Sequence, residues 1–273
     1  MFRAEMLKLT TTKTPKIAVA VGAGGLILTQ IIFVTLLPAL AAGTIGPGRA
    51  ALGDDFPALD LGSTSAQLDA LSPFGASSGG GSVGIAVLAV VMMGVLAGTS
   101  DYRFGGIVAA ALAQPRRVRI LASKAAATGV VGLATGLVFT LVSLATLLGT
   151  VAVMGLPLAA TPLEIAGVIA RGTLAVGALT LIALSIGILA RSQLAGVLIM
   201  LAIIMLEPIV LSITGLILGH IPAAMQFLPL SLANAVIGTT SSGIPFPLAL
   251  AGLGAITLAL LGLAALALKR RDI

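Results

Sequence analysis

Residues 165–218 read IAGVIARGTLAVGALTLIALSIGILARSQLAGVLIMLAIIMLEPIVLSITGLIL. The stretch is two apolar runs, Ile165 to Ala190 and Leu194 to Leu218, parted only by Arg191, Ser192 and Gln193. A helix needs about 20 mostly apolar residues to cross the roughly 30 Å of bilayer hydrocarbon, and each run is longer than that. Lipid offers no partner for backbone N–H and C=O groups, so only helices and closed barrels span it. Neither run alternates in polarity as a barrel strand does. Two helices joined by three residues must cross in opposite directions, and the fold class follows: an all-α integral membrane protein.

Working outward, the same test finds four further spans. Ile17 to Leu40 carries no charge, Val83 to Thr99 is shorter, and Leu248 to Leu268 closes the chain. Ala125 to Val153 is long enough to tilt, or to begin beyond the membrane surface. The sequence therefore predicts six transmembrane helices in a single domain over residues 1–273. Basic residues, an apolar run and Ala39-Leu40-Ala41 together resemble a cleaved signal peptide. A signal h-region is only about 7–15 residues, however, so the first run is read as a retained helix. Composition agrees, with 58% hydrophobic residues, 9% charged residues and a mean hydropathy of +1.19. A water-soluble domain carries about 25% charged residues to wet its surface.

A net charge of +6 would suggest a nucleic-acid partner in a soluble protein. Here the placement of the charges gives the better reason, and no nucleic acid is expected. Arg3, Lys8, Lys13 and Lys16 precede the first span, and Arg103, Arg116, Arg117, Arg119 and Lys124 lie between the second and third. Arg191 joins the fourth and fifth, and Lys269, Arg270 and Arg271 follow the sixth. Thirteen of the fifteen basic residues thus fall on one side of a six-span chain, leaving only Arg49 and Arg171 on the other. Basic loops are retained in the cytoplasm on insertion, so both termini are predicted to be cytoplasmic. The expected location is the cell membrane, a bacterial inner membrane in particular. The outer loop 41–81 is rich in Gly, Ser and Pro and reads as a flexible connection too short for a domain. Residues 219–247 are apolar but interrupted by Pro222, Pro229, Pro245 and Pro247, the pattern of a re-entrant or broken segment covered by protein.

Catalytic motifs are scarce. The sequence has no Cys, a single His220, no Gly-Lys step for a phosphate-binding loop and no Gly-x-Ser-x-Gly elbow. No metal site, resident cofactor or catalytic residue is expected. Gly94/Gly98, Gly132/Gly136 and Gly215/Gly219 each place two glycines one turn apart, which suits close helix packing. Glu207, followed by Pro208, is the costliest residue energetically, because a lone carboxylate in hydrocarbon must be neutral, paired or hydrated. One reading makes Glu207, Pro208 and Arg171 part of a gate, a substrate contact or a proton site. The other makes Glu207 a capping or packing carboxylate paired with Arg171, for which Glu164 is an equal candidate partner. Pro208 is expected to bend or end the helix.

The stretch DYRFGGIVAAALAQPRRVRILASK, residues 101–124, holds a short apolar run (Ile107 to Leu112) between a charged turn and Pro115-Arg116-Arg117. Topology alone explains the basic charges but neither the apolar run nor the proline. A short apolar helix on the cytoplasmic face suits docking into a soluble partner.

These residues carry a resemblance. The chain resembles the type-2 permease family, the membrane subunits of ATP-binding-cassette (ABC) exporters of drugs, peptides, polysaccharides and lipids. The opening MFRAEMLKLTTTKTP is similar to the family's Glu-x-x-Lys-Leu pattern, through Glu5, Lys8 and Leu9. Asp101, Tyr102, Arg103, Phe104, Gly105 and Gly106, then Pro115, Arg116, Arg117 and Lys124, resemble its second pattern. Asp101 stands where the family usually has Glu, and Gly106 where Thr is usual. The resemblance implies an amphipathic elbow helix over 2–14 and a coupling helix over 103–114 that contacts a separate ATPase subunit. It also implies a second permease copy or paralogue, with ATP and Mg bound by the ATPase and not by this chain. A proton-coupled carrier using Glu207, or a membrane scaffold or immunity protein, is the alternative.

Overall fold

Threonines stop the first helix. In α1 (Phe2–Thr11) the hydroxyls of Thr10, Thr11 and Thr12 donate back to the carbonyls of Met6, Leu7 and Lys8, and Thr12 turns extended at φ −72°, ψ 145°. α2 (Lys13–Gln30) then starts with Pro15 in its first turn, where no backbone N–H is needed. The computed structural model describes residues 1–41, 43, 45–46, 61–75, 84–103, 117–238 and 243–270. α2 continues through a π-helical stretch, Ile31–Leu36, and a last α-helical turn, Leu37–Ala41. There follow α3 (Thr64–Ala70), α4 (Ile85–Arg103), α5 (Arg117–Met154), α6 (Pro162–Ala190), α7 (Gln193–Leu218), α8 (Pro229–Ile237) and α9 (Phe246–Arg270).

Among the described residues, six helices are long and apolar enough to cross a membrane: Lys13–Leu40, Ile85–Tyr102, Val118–Met154, Pro162–Ala190, Gln193–Leu218 and Phe246–Arg270. Each predicted run coincides with one of them to within a few residues, apart from the third. That helix starts earlier, at Arg117, and its 38 residues reach about 57 Å, well beyond the hydrocarbon thickness. Large apolar side chains such as Leu163, Leu216 and Leu258 stand more than 70% exposed, which water would not tolerate over so much surface. The chain is a multi-span helical membrane protein.

α6 is the central post. Two thirds of its apolar window is buried, as is that of α4, against 22% for α7 and α9. Glycine lets the neighbours close on it. A Cβ on Gly98 of α4 would stand 2.5 Å from the Leu184 carbonyl oxygen, and one on Gly136 of α5 would stand 2.9 Å from that of Thr173. Two of the three predicted glycine pairs therefore work as packing faces. The third does not: Gly215 meets nothing closer than Ile221 at 3.8 Å, and Gly219 ends α7 at φ 69°.

The ends of the bundle differ. At one end Leu9, Ala97, Leu121, Leu184, Ala264 and Leu268 form a small apolar cluster that draws together α1, α4, α5, α6 and α9. Most described basic residues gather there, and it is called the basic end below. At the far end the described residues include two short α-helices, α3 and α8, and a 3-10 turn, Ala223–Phe227. α3 belongs to the loop predicted to lie outside, yet Gln67, Ala70 and Leu71 are buried to 1% exposure or less, so residues 61–75 are packed and not a free tether. The Gln67 amide explains why: it donates to Leu61 O and Pro157 O (both 2.9 Å) and accepts from the N–H groups of Ala159 (2.8 Å) and Ala160 (3.1 Å). Gln30 of α2, 1% exposed, donates to Ala70 O at 2.6 Å and fastens the same segment to the bundle. The rest of the predicted flexible loop lies largely outside the described residues.

α8 occupies the predicted broken segment before the last span. Pro229 sits at its first turn and Gly238, at φ 75°, ends it, the usual asymmetry of helix termini. Leu230, Leu232, Ala233, Val236 and Ile237 are buried, and the helix packs on α6 and α9. α7, by contrast, is not interrupted at Glu207-Pro208; it stays helical from Gln193 to Leu218. The missing proline N–H removes one bond from the ladder, and the flanking turns carry the helix through.

Candidate functional site

The basic end collects four residues singled out in the sequence. Asp101, in the last turn of α4 and only 8% exposed, receives two lysines. Lys124 of α5 reaches its Oδ2 at 2.7 Å, and Lys8 of α1 pairs with its Oδ1. Lys124 also meets Glu5 Oε2 of α1 at 3.4 Å and donates to Ala97 O at 3.2 Å. Lys8 completes its shell on Ser100 Oγ at 3.0 Å. Two carboxylates and two ammonium groups balance, so the cluster is electrically neutral although it sits where positive charge is concentrated. Lys124, with 7% of its side chain exposed, is tolerated there because three oxygens satisfy it.

The cluster has a topological consequence. α4 ends at Arg103 and α5 begins at Arg117, so the Asp101–Lys124 pair holds the two stems of the intervening segment side by side. α1 is tied to both stems by the same charges. Phe104, Gly105, Gly106, Pro115 and Arg116 lie outside the described residues, as does the expected coupling helix beyond Arg103. Tyr102 is half-buried beside Asp101; Arg103 and Arg117 stand at the two helix ends. Next to the cluster is a cavity of about 220 Å³, with Lys8, Thr12 and Ser100 on its polar side and Leu9, Met93 and Leu96 on its apolar side.

Glu207 has a different kind of partner. It continues the stripe Gly196, Met200, Ile204 that α7 turns inward, and it is 4% exposed. Its carboxylate accepts from Leu230 N (3.0 Å), Ser231 N (2.5 Å) and Ser231 Oγ (2.7 Å). The two backbone donors are N–H groups of the first turn of α8, which have no partner within their own helix. Glu207 is a cap. The expected pairing with Arg171 is not formed; Arg171 instead lies over the Phe246 ring, 4.5 Å from its centroid. Glu164 does not hold Arg171 either, because it closes a capping box with Thr161 at the start of α6. Its carboxylate is committed to the backbone one turn back, not to a side chain two turns on.

Gln30, Gln67 and Ser231 were not singled out from the sequence. The signal for Gln30 was its amide alone in an otherwise apolar span. That for Ser231 was Pro229 two residues before it, marking a helix start. No known protein family, curated protein or solved structure matches this chain.

Proposed function

We propose that the chain is the membrane subunit of an ATP-driven ABC exporter, with both termini in the cytoplasm. It forms half of the translocation path together with a second permease copy or paralogue. A separate ATPase docks on the segment between α4 and α5 and binds ATP and Mg; this chain hydrolyses nothing. The observation that carries the reading is the neutral clamp of Glu5, Lys8, Asp101 and Lys124. The two patterns that resemble the permease family are far apart in the sequence, one at Glu5, Lys8 and Leu9 and the other from Asp101 to Lys124. The clamp brings residues of both into one contact.

Such a clamp suits force transmission. ATP binding favours one arrangement of the ATPase pair, and a rigid junction between α1, α4 and α5 passes that preference to the spans. The capping role of Glu207 supports this reading over a proton-coupled carrier, since its carboxylate is already engaged by α8. Drugs, peptides or lipids are the substrate classes that the resemblance offers. The test is a double substitution at Asp101 and Arg103. It is expected to weaken ATPase association while membrane insertion stays normal; unimpaired assembly and transport would remove the docking role.

A further inference from the structure

The two charges that sit within the spans toward the far end do not meet each other, and α8 shows why. Arg171 lies nine residues into α6 from Pro162, about 14 Å along the helix, and Glu207 lies eleven residues before the end of α7, about 16 Å. Both are thus set back by similar distances from the far end. α8, nine residues or about 14 Å long, runs between them. Its N-terminus is on Glu207, through Leu230 and Ser231. Its C-terminal glycine, Gly238, is against Arg171: a Cβ there would stand 3.1 Å from Nη1.

We infer that α8 is a re-entrant helix stapled by opposite charges at its two ends, and that Glu207 and Arg171 are positioning residues for it. A helix carries partial positive charge at its N-terminus and partial negative charge at its C-terminus. A carboxylate at the first and a guanidinium at the second are the favourable signs, and low dielectric around them strengthens both. The carboxylate also satisfies two first-turn N–H groups that lipid could not. Phe246 holds the guanidinium in place from the start of α9, so one cation fixes the end of α8 to the beginning of the last span. This inference is independent of the transport reading. It makes α8 a unit that can detach while the six spans remain folded.

The test is amide hydrogen exchange on the full chain in lipid nanodiscs, comparing residues 229–238 with residues 176–188 of α6. Glu207→Gln is expected to speed exchange in α8 about tenfold, and Arg171→Met, which keeps an apolar stem over Phe246, about threefold. The α6 residues should not change in either. Unchanged α8 exchange in both variants, or an equal rise in α6, would overturn the staple; if Glu207→Gln does not fold, Arg171→Met decides alone. The charge swap Glu207→Arg with Arg171→Glu separates a staple from a direct ion pair. A staple predicts faster α8 exchange than in either single variant, because both ends then carry the wrong sign. Restored protection in the swap would mean that the two side chains pair with each other, and the inference would fail.

Discussion

At the basic end of the molecule charges meet charges, whereas at the far end a carboxylate and an amide meet backbone. Asp101 and Glu5 are answered by Lys8 and Lys124, four side chains from three helices closing on one another. Glu207 and Gln67 are each answered by main-chain groups of a short inserted helix or the loop beside it. The difference follows from what each end must stabilise. The basic end joins the ends of α1, α4 and α5, and there the buried Asp101 and Lys124 are matched chiefly by other side chains. The far end holds segments too short to satisfy themselves, and their orphan N–H and C=O groups demand polar partners inside the bundle.

That contrast can be broken at four points. Asp101→Leu is expected to be the most damaging, because it leaves Lys124, whose side chain is 7% exposed, with only the longer contacts to Glu5 and the Ala97 carbonyl. Removing one partner of a buried pair costs about 3–5 kcal/mol, and SDS-titrated unfolding in mixed micelles should read that loss. Gln67→Ala comes next, at about 2–3 kcal/mol, since several loop groups lose their partners at once. Its mark should be local: faster exchange at 61–75 and 157–160 with the α1–α4–α5 junction unchanged. Lys8→Met should cost under about 1 kcal/mol, because that side chain is 36% exposed and its attraction to Asp101 is screened. Arg191→Gly should be the smallest effect and of opposite sign. Arg191 ends α6 at φ 54°, a left-handed conformation that glycine adopts without strain, so a gain of up to about 1 kcal/mol is expected in the same unfolding assay.

The six spans were readable because each is a long apolar run broken by at most one charge, and lipid imposes that pattern locally. The cap at Glu164 is written in four consecutive residues, Thr161-Pro162-Leu163-Glu164, yet the sequence reading offered Glu164 to Arg171 instead. The clamp was half readable. Glu5, Lys8, Asp101 and Lys124 stood out through a resemblance, but nothing in their spacing says that Lys124 reaches both acids. The far end was the least legible. Gln67 and Pro157, or Glu207 and Ser231, are matched across 90 and 24 positions by folding alone. Its short helices lie in Gly- and Pro-rich sequence that looks like a connection. Even so, Pro229 and Gly238 bracket α8 in the sequence.

The most direct test of the proposed function is a photo-crosslinker placed in turn along residues 104–116 of the full chain in cells. The expected result is a crosslink to a protein that carries a phosphate-binding loop and hydrolyses ATP. Its yield should change when ATP is depleted, and it should be lost on Asp101→Leu in whatever fraction still inserts. Crosslinks to lipid alone at every position, with transport or membrane residence unaffected, would contradict the docking of an ATPase there.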